Sequence, residues 1–267
     1  MPDQSMQNSP PTPPPLIRFE NVHKRFSSLV VLNGVSVAFA EGKTTVVLGP
    51  SGTGKSVLLK HIVGLLSPDS GSVYYRDIRI DHLKDRGMEP IRRKIGFLFQ
   101  LSALFDSMTV GENVAFPMRE HSGLSKSEIR DRVAERLAMV GMENTEKKMP
   151  GELSGGQRKR VALARAIALN PELVLYDEPT TGLDPIRSDV INELILKLHE
   201  ELKVSAIVVT HDMTSAFKVG DRLVMLMGGG IIADGTADEL RAHSDPRVQR
   251  FIAGRADEED LRALHRL

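Results

Sequence analysis

The chain has 267 residues, enough for one large domain or two small ones, and its 35 basic and 35 acidic residues balance to a net charge of +0. This balance argues against a protein built mainly to hold a nucleic-acid backbone, which usually carries a basic excess. The lack of cysteine excludes disulfides, zinc thiolates and a cysteine nucleophile, and with 4% aromatic residues and no tryptophan a base-stacking platform is not expected.

The first residues differ from the rest in composition. Residues 1–15 are polar and rich in proline, which predicts an extended or disordered tail. From Leu16 the pattern becomes strand-like, and the turn Glu41-Gly42 leads into a fully apolar segment. The strands predicted in this first third are Leu16–Val22, Val35–Phe39, Thr44–Leu48, 72–80 and 94–99.

The middle of the chain is predicted to be helical, from about 105 to 170. Ser125 and Glu128 form a capping-box pattern before one apolar helix face. Beyond it, two nearly continuous apolar runs, Leu173–Tyr176 and Ser205–Val209, are typical of central parallel strands covered on both faces. The remaining predicted elements are a helix over 185–202, a hairpin over 223–233 and a charged helical end over 237–267. No run of about 18 apolar residues is present, so we expect any membrane association to come through a partner.

Residues Gly49–Ser56 fit the pattern G-x-x-x-x-G-K-[ST] between an apolar strand and an apolar helix. Glycines let the backbone wrap a phosphate with consecutive N–H groups, Lys55 would reach the terminal phosphates, and the Ser56 hydroxyl would bind Mg²⁺. A chance match by a glycine-rich turn is the alternative, and the strand and helix on either side argue against it. The residues expected to bind nucleotide here are Gly49, Pro50, Ser51, Gly52, Thr53, Gly54, Lys55, Ser56 and Val57.

Two acidic residues follow the apolar strand that ends at Tyr176. Asp177 is expected to hold the Mg²⁺ shell, and Glu178 to orient or deprotonate an attacking water. In isolation such a sequence is usually an acidic turn, but its place at a strand end after a P-loop favours the functional interpretation.

Leu153–Gln157 precedes an alanine-rich helix, with Ser154 as a plausible N-cap and Gln157 three residues on. Local physics alone would favour an ordinary capped helix. However, Leu153–Gln157 matches the signature motif of ATP-binding cassette (ABC) ATPases, and the other motifs follow in that family's order. The resemblance covers about residues 16–255 and leaves residues 256–267 as a C-terminal tail.

The resemblance implies an α/β fold: a P-loop ABC nucleotide-binding domain with an antiparallel β-subdomain, a RecA-like parallel-sheet core and an inserted α-helical subdomain. It implies that Phe26 stacks on adenine, that Gln100 links metal, water and the helical insertion, and that His211 lies near the γ-phosphate. Ser154, Gly156 and Gln157 would contact ATP held by the other subunit of a homodimer. Metal binding is expected from Ser56, Gln100 and Asp177, and catalysis from Glu178, His211, Gln100 and Lys55.

Leu104–Val110 and Asn113–Glu120 resemble one subgroup, the MlaF-like ATPases of MCE-type lipid transporters. This implies ATP and Mg²⁺ as ligands, integral membrane permease subunits and an MCE-domain lipid-binding protein as partners, and a peripheral position on the cytoplasmic face of the inner membrane. Residues 96–110 could form a groove for a permease helix, pack on their own core, or do both.

Three other functions are weighed. A cassette for another cargo, such as an amino acid, differs only in its partners. A soluble ABC ATPase acting on DNA or ribosomes would usually carry basic arms or a second cassette, neither of which is visible. A scaffold without activity would lack Lys55, Asp177 or Glu178, and all three are present.

Overall fold

The computed structural model describes residues 15–256. Residues 1–14 of the proline-rich tail predicted over 1–15 lie outside the described residues, and Pro15 begins the first strand. Residues 257–267 of the C-terminal tail predicted over 256–267 also lie outside them. Among residues 15–256, no helix is long and apolar enough to cross a membrane.

Ten strands lie within this range, and they fall into two sheets. In chain order they are β1 (Pro15–Phe26), β2 (Leu29–Ala40), β3 (Thr44–Leu48), β4 (Ser70–Tyr75), β5 (Ile78–Arg79), β6 (Ile95–Leu98), β7 (Leu173–Asp177), β8 (Ser205–Thr210), β9 (Arg222–Met227) and β10 (Gly230–Gly235). The α-helices of the described part are α1 (Lys55–Ile62), α2 (Asp85–Arg92), α3 (Val110–His121), α4 (Lys126–Met139), α5 (Gly155–Ala166), α6 (Pro185–Leu202), α7 (Met213–Val219), α8 (Ala237–Arg241) and α9 (Pro246–Ile252).

The smaller sheet is antiparallel, with the order β2-β1-β4-β5, and the larger one has the order β10-β9-β3-β8-β7-β6. In the larger sheet all neighbours are parallel except β10, which pairs antiparallel with β9. The carboxyl ends of β3, β8, β7 and β6 therefore meet along one edge, which is where open α/β sheets bind ligands. This α/β arrangement confirms the predicted fold class.

Two apolar cores flank the larger sheet. One joins the antiparallel sheet, α1 and one face of the larger sheet, and the other joins the opposite face to the helices inserted between β6 and β7. The three helices α3, α4 and α5 lie within the stretch predicted to be helical, and Ser125 caps α4 through the predicted box with Glu128.

A polar network joins the two sheets where Tyr75 and Arg76, at the end of β4, meet Glu172, just before β7. The Tyr75 hydroxyl donates to Oε2 of Glu172 at 2.6 Å, and Arg76 donates to Glu41 at 2.7 Å and to Glu172 at 2.9 Å. Lys94 lies 2.9 Å from the other Glu172 oxygen. Partial burial raises the pKa of Glu172, but hydrogen bonds from Tyr75, Arg76 and Lys94 outweigh it and lower that pKa to about 2.

Candidate functional site

The P-loop follows β3, whose five residues are all buried, and ends where α1 begins at Lys55. Its shape requires glycine at two positions. Gly49 has φ +151° and Gly54 has φ +98°, and a Cβ at Gly54 would lie 2.8 Å from Cγ1 of Val31. At Gly49 a Cβ would lie 2.1 Å from the carbonyl oxygen of Leu226. The loop is therefore wrapped tightly between β2 and β9.

Lys55 points its side chain back under this loop. Its Nζ donates to the carbonyl oxygens of Gly49 at 2.8 Å and Pro50 at 2.9 Å, and lies 3.7 Å from Oε1 of Glu178. Burial lowers the pKa of Lys55, and the neighbouring Glu178 carboxylate opposes this. The ammonium thus stands between the loop and the acidic residues that follow β7.

Ser56 and Asp177 are in direct contact, although 121 residues separate them in the chain. The Ser56 hydroxyl donates to Oδ1 of Asp177 at 2.7 Å. Burial raises the pKa of Asp177; the Ser56 hydrogen bond opposes this rise, and the nearby Glu178 charge adds to it. Two adjacent buried carboxylates favour a cation beside them, and hydroxyl and carboxylate oxygens are ligands that Mg²⁺ prefers.

Glu178 adopts a left-handed backbone conformation with φ +49°, which is uncommon outside glycine and often marks a functional site. Its Oε2 lies 2.9 Å from Nδ1 of His211, and it accepts a hydrogen bond from the Thr181 hydroxyl at 3.2 Å. His211 follows β8 directly, so the two side chains reach one another from neighbouring strand ends. A carboxylate can only accept, so Nδ1 of His211 carries the hydrogen in this contact.

One cleft of about 380 Å³ collects most of the residues predicted from the sequence. Phe26 is 43% exposed at its mouth, so this aromatic residue is not part of the core. Gln100, which follows β6, is also exposed there. The lining residues are Phe26, Val31, Ser51, Gly52, Gly54, Lys55, Ser56, Val57, Gln100, Glu178 and His211.

Ser154, Gly156 and Gln157 do not line this cleft. They form the first turn of α5, where the Ser154 hydroxyl accepts from the Gln157 backbone N–H and the Gln157 side chain accepts from the Ser154 backbone N–H. Ser154 is exposed. The chain therefore presents a second helix N-terminus at its surface, apart from its own nucleotide cleft.

Two residues at the centre of the site were not predicted. Thr181 contacts the Glu178 carboxylate, and Lys159, only 5% exposed, sends its Nζ to the carbonyl oxygens of Gln100 at 3.2 Å and Glu178 at 3.3 Å. Lys159 stands in the run Arg158-Lys159-Arg160, which has the composition of a solvated helix face. The available signal was its helical position on the same side as the apolar Ala162 and Leu163, three and four residues on, and that signal is weak.

A second cleft, of about 570 Å³, lies beside α3 and β6 and is mainly apolar. The rings of Phe97 and Phe99 stack with centroids 4.1 Å apart, and those of Phe105 and Phe116 lie 4.9 Å apart. Arg92, Arg93 and Glu89 stand at its rim. We call this cleft the aromatic groove.

Comparison with known proteins gives the following relationships. The family model described as ABC transporter matches residues 32–181. The chain is 41% identical over 239 residues to the "Probable ribonucleotide transport ATP-binding protein mkl" of Mycobacterium tuberculosis, covering 90% of this chain and 67% of that protein. It is 40% identical over 242 residues to the "Intermembrane phospholipid transport system ATP-binding protein MlaF" of Haemophilus influenzae, covering 91% and 92%. Among solved structures, the ATP-binding cassette MJ0796 bound to ADP and Pi as a dimer superposes with a TM-score of 0.76 at 37% identity, covering 82% of this chain and 98% of that one.

Proposed function

The chain belongs to the ABC transporter family, as an ATP-hydrolysing subunit, and from this premise we propose that it powers phospholipid transport through a membrane permease. The observation that carries the enzymatic part is the single cleft in which the P-loop, Glu178 and His211 meet. The proposed cargo rests on the MlaF relatives, whose names specify phospholipid transport, and on the resemblance of residues 104–120 to that subgroup.

We assign the nucleotide to this cleft. Phe26 offers an exposed ring at the mouth for the adenine, and the P-loop and the α1 N-terminus offer backbone N–H groups to the phosphates. Lys55 would exchange its contacts with the Gly49 and Pro50 carbonyls for the terminal phosphates, a gain because a charged acceptor binds an ammonium more strongly than a carbonyl does.

Mg²⁺ fits the donors present. Within residues 15–256 no cluster of three or more histidine or acidic side chains is arranged to hold a metal, so the ion would be shared between the protein and the phosphates. Ser56 and Asp177 would hold it on the protein side, with Gln100 approaching from the rim of the cleft. When bound, Mg²⁺ would offset charge on the phosphate oxygens.

Glu178 is assigned as the group that orients and deprotonates the attacking water. Its carboxylate is held by His211 and Thr181 on one oxygen, which leaves the other oxygen, 3.7 Å from Lys55, facing the P-loop. His211 and Lys55 would then offset charge that develops on the γ-phosphoryl group.

The exposed α5 N-terminus supports the proposal of a second copy of the chain. We propose that two copies pair head to tail, so that Ser154 and Gly156 of each contact the γ-phosphate held by the other, with Gln157 supporting Ser154. ATP then bridges the two copies, and its hydrolysis removes the bridge. Only a difference in affinity of the closed dimer for ATP and for ADP can drive such a cycle.

The aromatic groove is assigned to the permease. A short amphipathic helix from a cytoplasmic loop of the membrane partner would place apolar side chains among Phe97, Phe105 and Phe116, a recognised mode of peptide binding. The chain would thereby sit peripherally on the cytoplasmic face of the inner membrane. An MCE-domain lipid-binding protein would complete the transporter.

The catalytic assignment is tested with Glu178→Gln. This variant keeps the size of the side chain but removes the base, so ATP hydrolysis should fall by roughly 100-fold or more while ATP still binds and holds the dimer closed. Turnover is measured by phosphate release and the dimer by gel filtration with ATP. Near-normal turnover would refute the assignment of Glu178.

The cargo is tested by purifying tagged Glu178→Gln protein with its membrane partners from native membranes. We expect a permease and bound phospholipid, identified by mass spectrometry, and ATPase activity of the wild-type complex that rises with added phospholipid. A second candidate cargo follows from the mkl relatives, whose name specifies ribonucleotide transport. Stimulation by ribonucleotide or another small solute, without bound lipid, would replace the phospholipid proposal.

A further inference from the structure

Two cationic side chains of helix α5, Lys159 and Arg165, donate hydrogen bonds to main-chain carbonyls of the core. Lys159 binds the carbonyl oxygens of Gln100 at 3.2 Å and Glu178 at 3.3 Å, and Arg165 binds that of Ser102 at 2.9 Å. Both hydrogen bonds of Lys159 thus go to carbonyls of residues that line the nucleotide cleft. Charged donors make stronger hydrogen bonds than neutral ones, more so away from water.

The Glu178 carbonyl that Lys159 binds belongs to a residue with an unusual backbone conformation. Glu178 has φ +49°, and its N–H donates to the Val209 carbonyl at 2.9 Å. A left-handed residue with a side chain persists only where its surroundings hold it. The Val209 carbonyl holds the peptide group before Glu178, and Lys159, together with the Thr181 backbone N–H at 3.2 Å, holds the peptide group after it.

A buried ammonium is costly unless its environment compensates for its charge. Burial lowers the pKa of Lys159, while the negative charges of Glu178 and Asp177 oppose this change. A neutral side chain at this place would be less costly to bury. The presence of a lysine therefore indicates that its charged hydrogen bonds to the two carbonyls serve a purpose. The Lys159 side chain joins three separate segments: helix α5 itself, the loop after β6 and the end of β7.

We propose that Lys159 is a positioning residue for ATP hydrolysis: by binding the Gln100 and Glu178 carbonyls together, it keeps the Glu178 carboxylate aimed into the cleft while α5 is docked on the core. A movement of α5 away from β6 withdraws the ammonium from both carbonyls, so that the Glu178 carbonyl loses its charged donor and keeps the weaker, neutral hydrogen bond from the Thr181 N–H. Ser154 is the N-cap of α5, and Lys159 lies just over one turn further along the same helix. The helix that would contact the partner's ATP is thereby coupled to the hydrolytic residue of its own chain. This inference rests on the proposed role of Glu178.

The test compares Lys159→Met with Lys197→Met in the full-length protein. Lys197 on α6 also donates to a main-chain carbonyl, that of Met139 at 3.2 Å, but it is exposed and remote from the cleft. Lys159→Met should lower kcat about tenfold, because small misplacements of a catalytic group are costly. Its KM for ATP and its affinity for the fluorescent analogue TNP-ATP should stay within about twofold, since Lys159 does not contact the nucleotide. Lys197→Met should match the wild type.

Two further variants separate positioning from general destabilisation. Lys159→Arg keeps the charge and the donors and should restore at least about half of kcat. If Lys159→Met fails to fold, Lys159→Gln keeps a neutral amide NH₂ as donor but loses the charge, and it should show an intermediate loss of kcat. Added to Glu178→Gln, Lys159→Met should lower the residual rate no further, because a residue that acts through another has nothing left to position.

The outcomes distinguish this inference from the function on which it rests. Wild-type kcat in Lys159→Met, or a loss of TNP-ATP affinity equal to the loss of kcat, overturns the role of Lys159 while Glu178→Gln remains inactive. Full turnover in Glu178→Gln instead overturns the assignment of the base itself.

Discussion

Two helix N-termini of this chain are proposed to bind phosphate, and they are built in opposite ways. The α1 end has Gly54 at the N-cap with φ +98° and no side-chain cap, and it lies deep between β2 and β9. The α5 end has Ser154 at the N-cap, within a complete capping box, at the surface. The free N–H groups of α1 need an external acceptor, whereas those of α5 are partly satisfied by its own side chains.

This difference indicates when each end acts. The α1 end has no side-chain cap, so its N–H groups suit an anionic ligand whether or not a second copy is present. The α5 end is stable while exposed, as a chain must be before its second copy arrives. The Ser154 hydroxyl can still donate to a phosphate oxygen while it accepts from the Gln157 N–H, so docking need not break the cap.

The largest effect is expected from Gly54→Ala. The left-handed φ costs about 1–2 kcal/mol for a residue with a Cβ, and that Cβ would overlap the Val31 side chain. Together these should weaken ATP binding by about 100-fold, measured with TNP-ATP. The matched change is Gly155→Ala in α5, where the nearest atom to a Cβ is 3.8 Å away, and TNP-ATP binding should be unchanged. Equal losses in both variants would contradict the comparison.

The contrast also shows what sequence could and could not predict. The P-loop, the buried strands β3, β7 and β8, and the Ser154 cap are local patterns, and the sequence predicted them. The strand predicted to end at Val22 runs on to Phe26, because register shifts after Phe19 break the alternation of apolar residues. The segment predicted as a strand over 72–80 forms two strands, β4 and β5, with a turn at Arg76 between them. The composition of the segment gives no sign of the positive φ of +52° that Arg76 adopts.

Other features depend on contacts between distant segments. The helix α2 was not predicted; it carries Pro90 and few apolar residues. Lys159 is buried because the loop after β6 and the end of β7 cover it, and neither lies near it in the sequence. The left-handed backbone of Glu178 is likewise set by its neighbours in the fold.

A smaller effect is expected from Ser154→Asp, which separates the cap from the proposed contact with the partner copy. Asp caps helices as well as Ser does, so the stability should change by only a few tenths of a kcal/mol. The Asp carboxylate would face the triphosphate of the partner copy, and this like-charge repulsion should lower ATP hydrolysis by at least about tenfold. TNP-ATP binding to a single copy should persist.

The control for this variant is Ser125→Asp at the α4 N-cap, which forms the same type of capping box with Glu128. It should leave both stability and hydrolysis unchanged. Hydrolysis that survives Ser154→Asp would mean that the α5 end does not face phosphate in the dimer.

The smallest effect is expected on the free energy of unfolding, from a change in the Glu172 network that joins the two sheets around α1. Leu58, Leu59 and Ile62 of α1 pack between the two sheets, which the Glu172 network joins at their base. Lowering the pKa of Glu172 from 4.5 to about 2 would correspond to about 3 kcal/mol if the group were fully buried. Its side chain is 34% exposed, so we expect Glu172→Gln to cost only about 1 kcal/mol at neutral pH.

The sign of the pH dependence makes this prediction specific. Because folding lowers the pKa of Glu172, its contribution is complete above the unfolded value of 4.5 and is lost as the pH falls toward about 2. The stability gap between wild type and Glu172→Gln, measured by urea unfolding, should therefore narrow steadily as the pH falls from about 5 toward about 2. Glu200→Gln, at an exposed position on α6, should show no gap at any pH. A Glu172→Gln gap that stays constant across this range would place its cause in packing rather than in the charge that joins the two sheets.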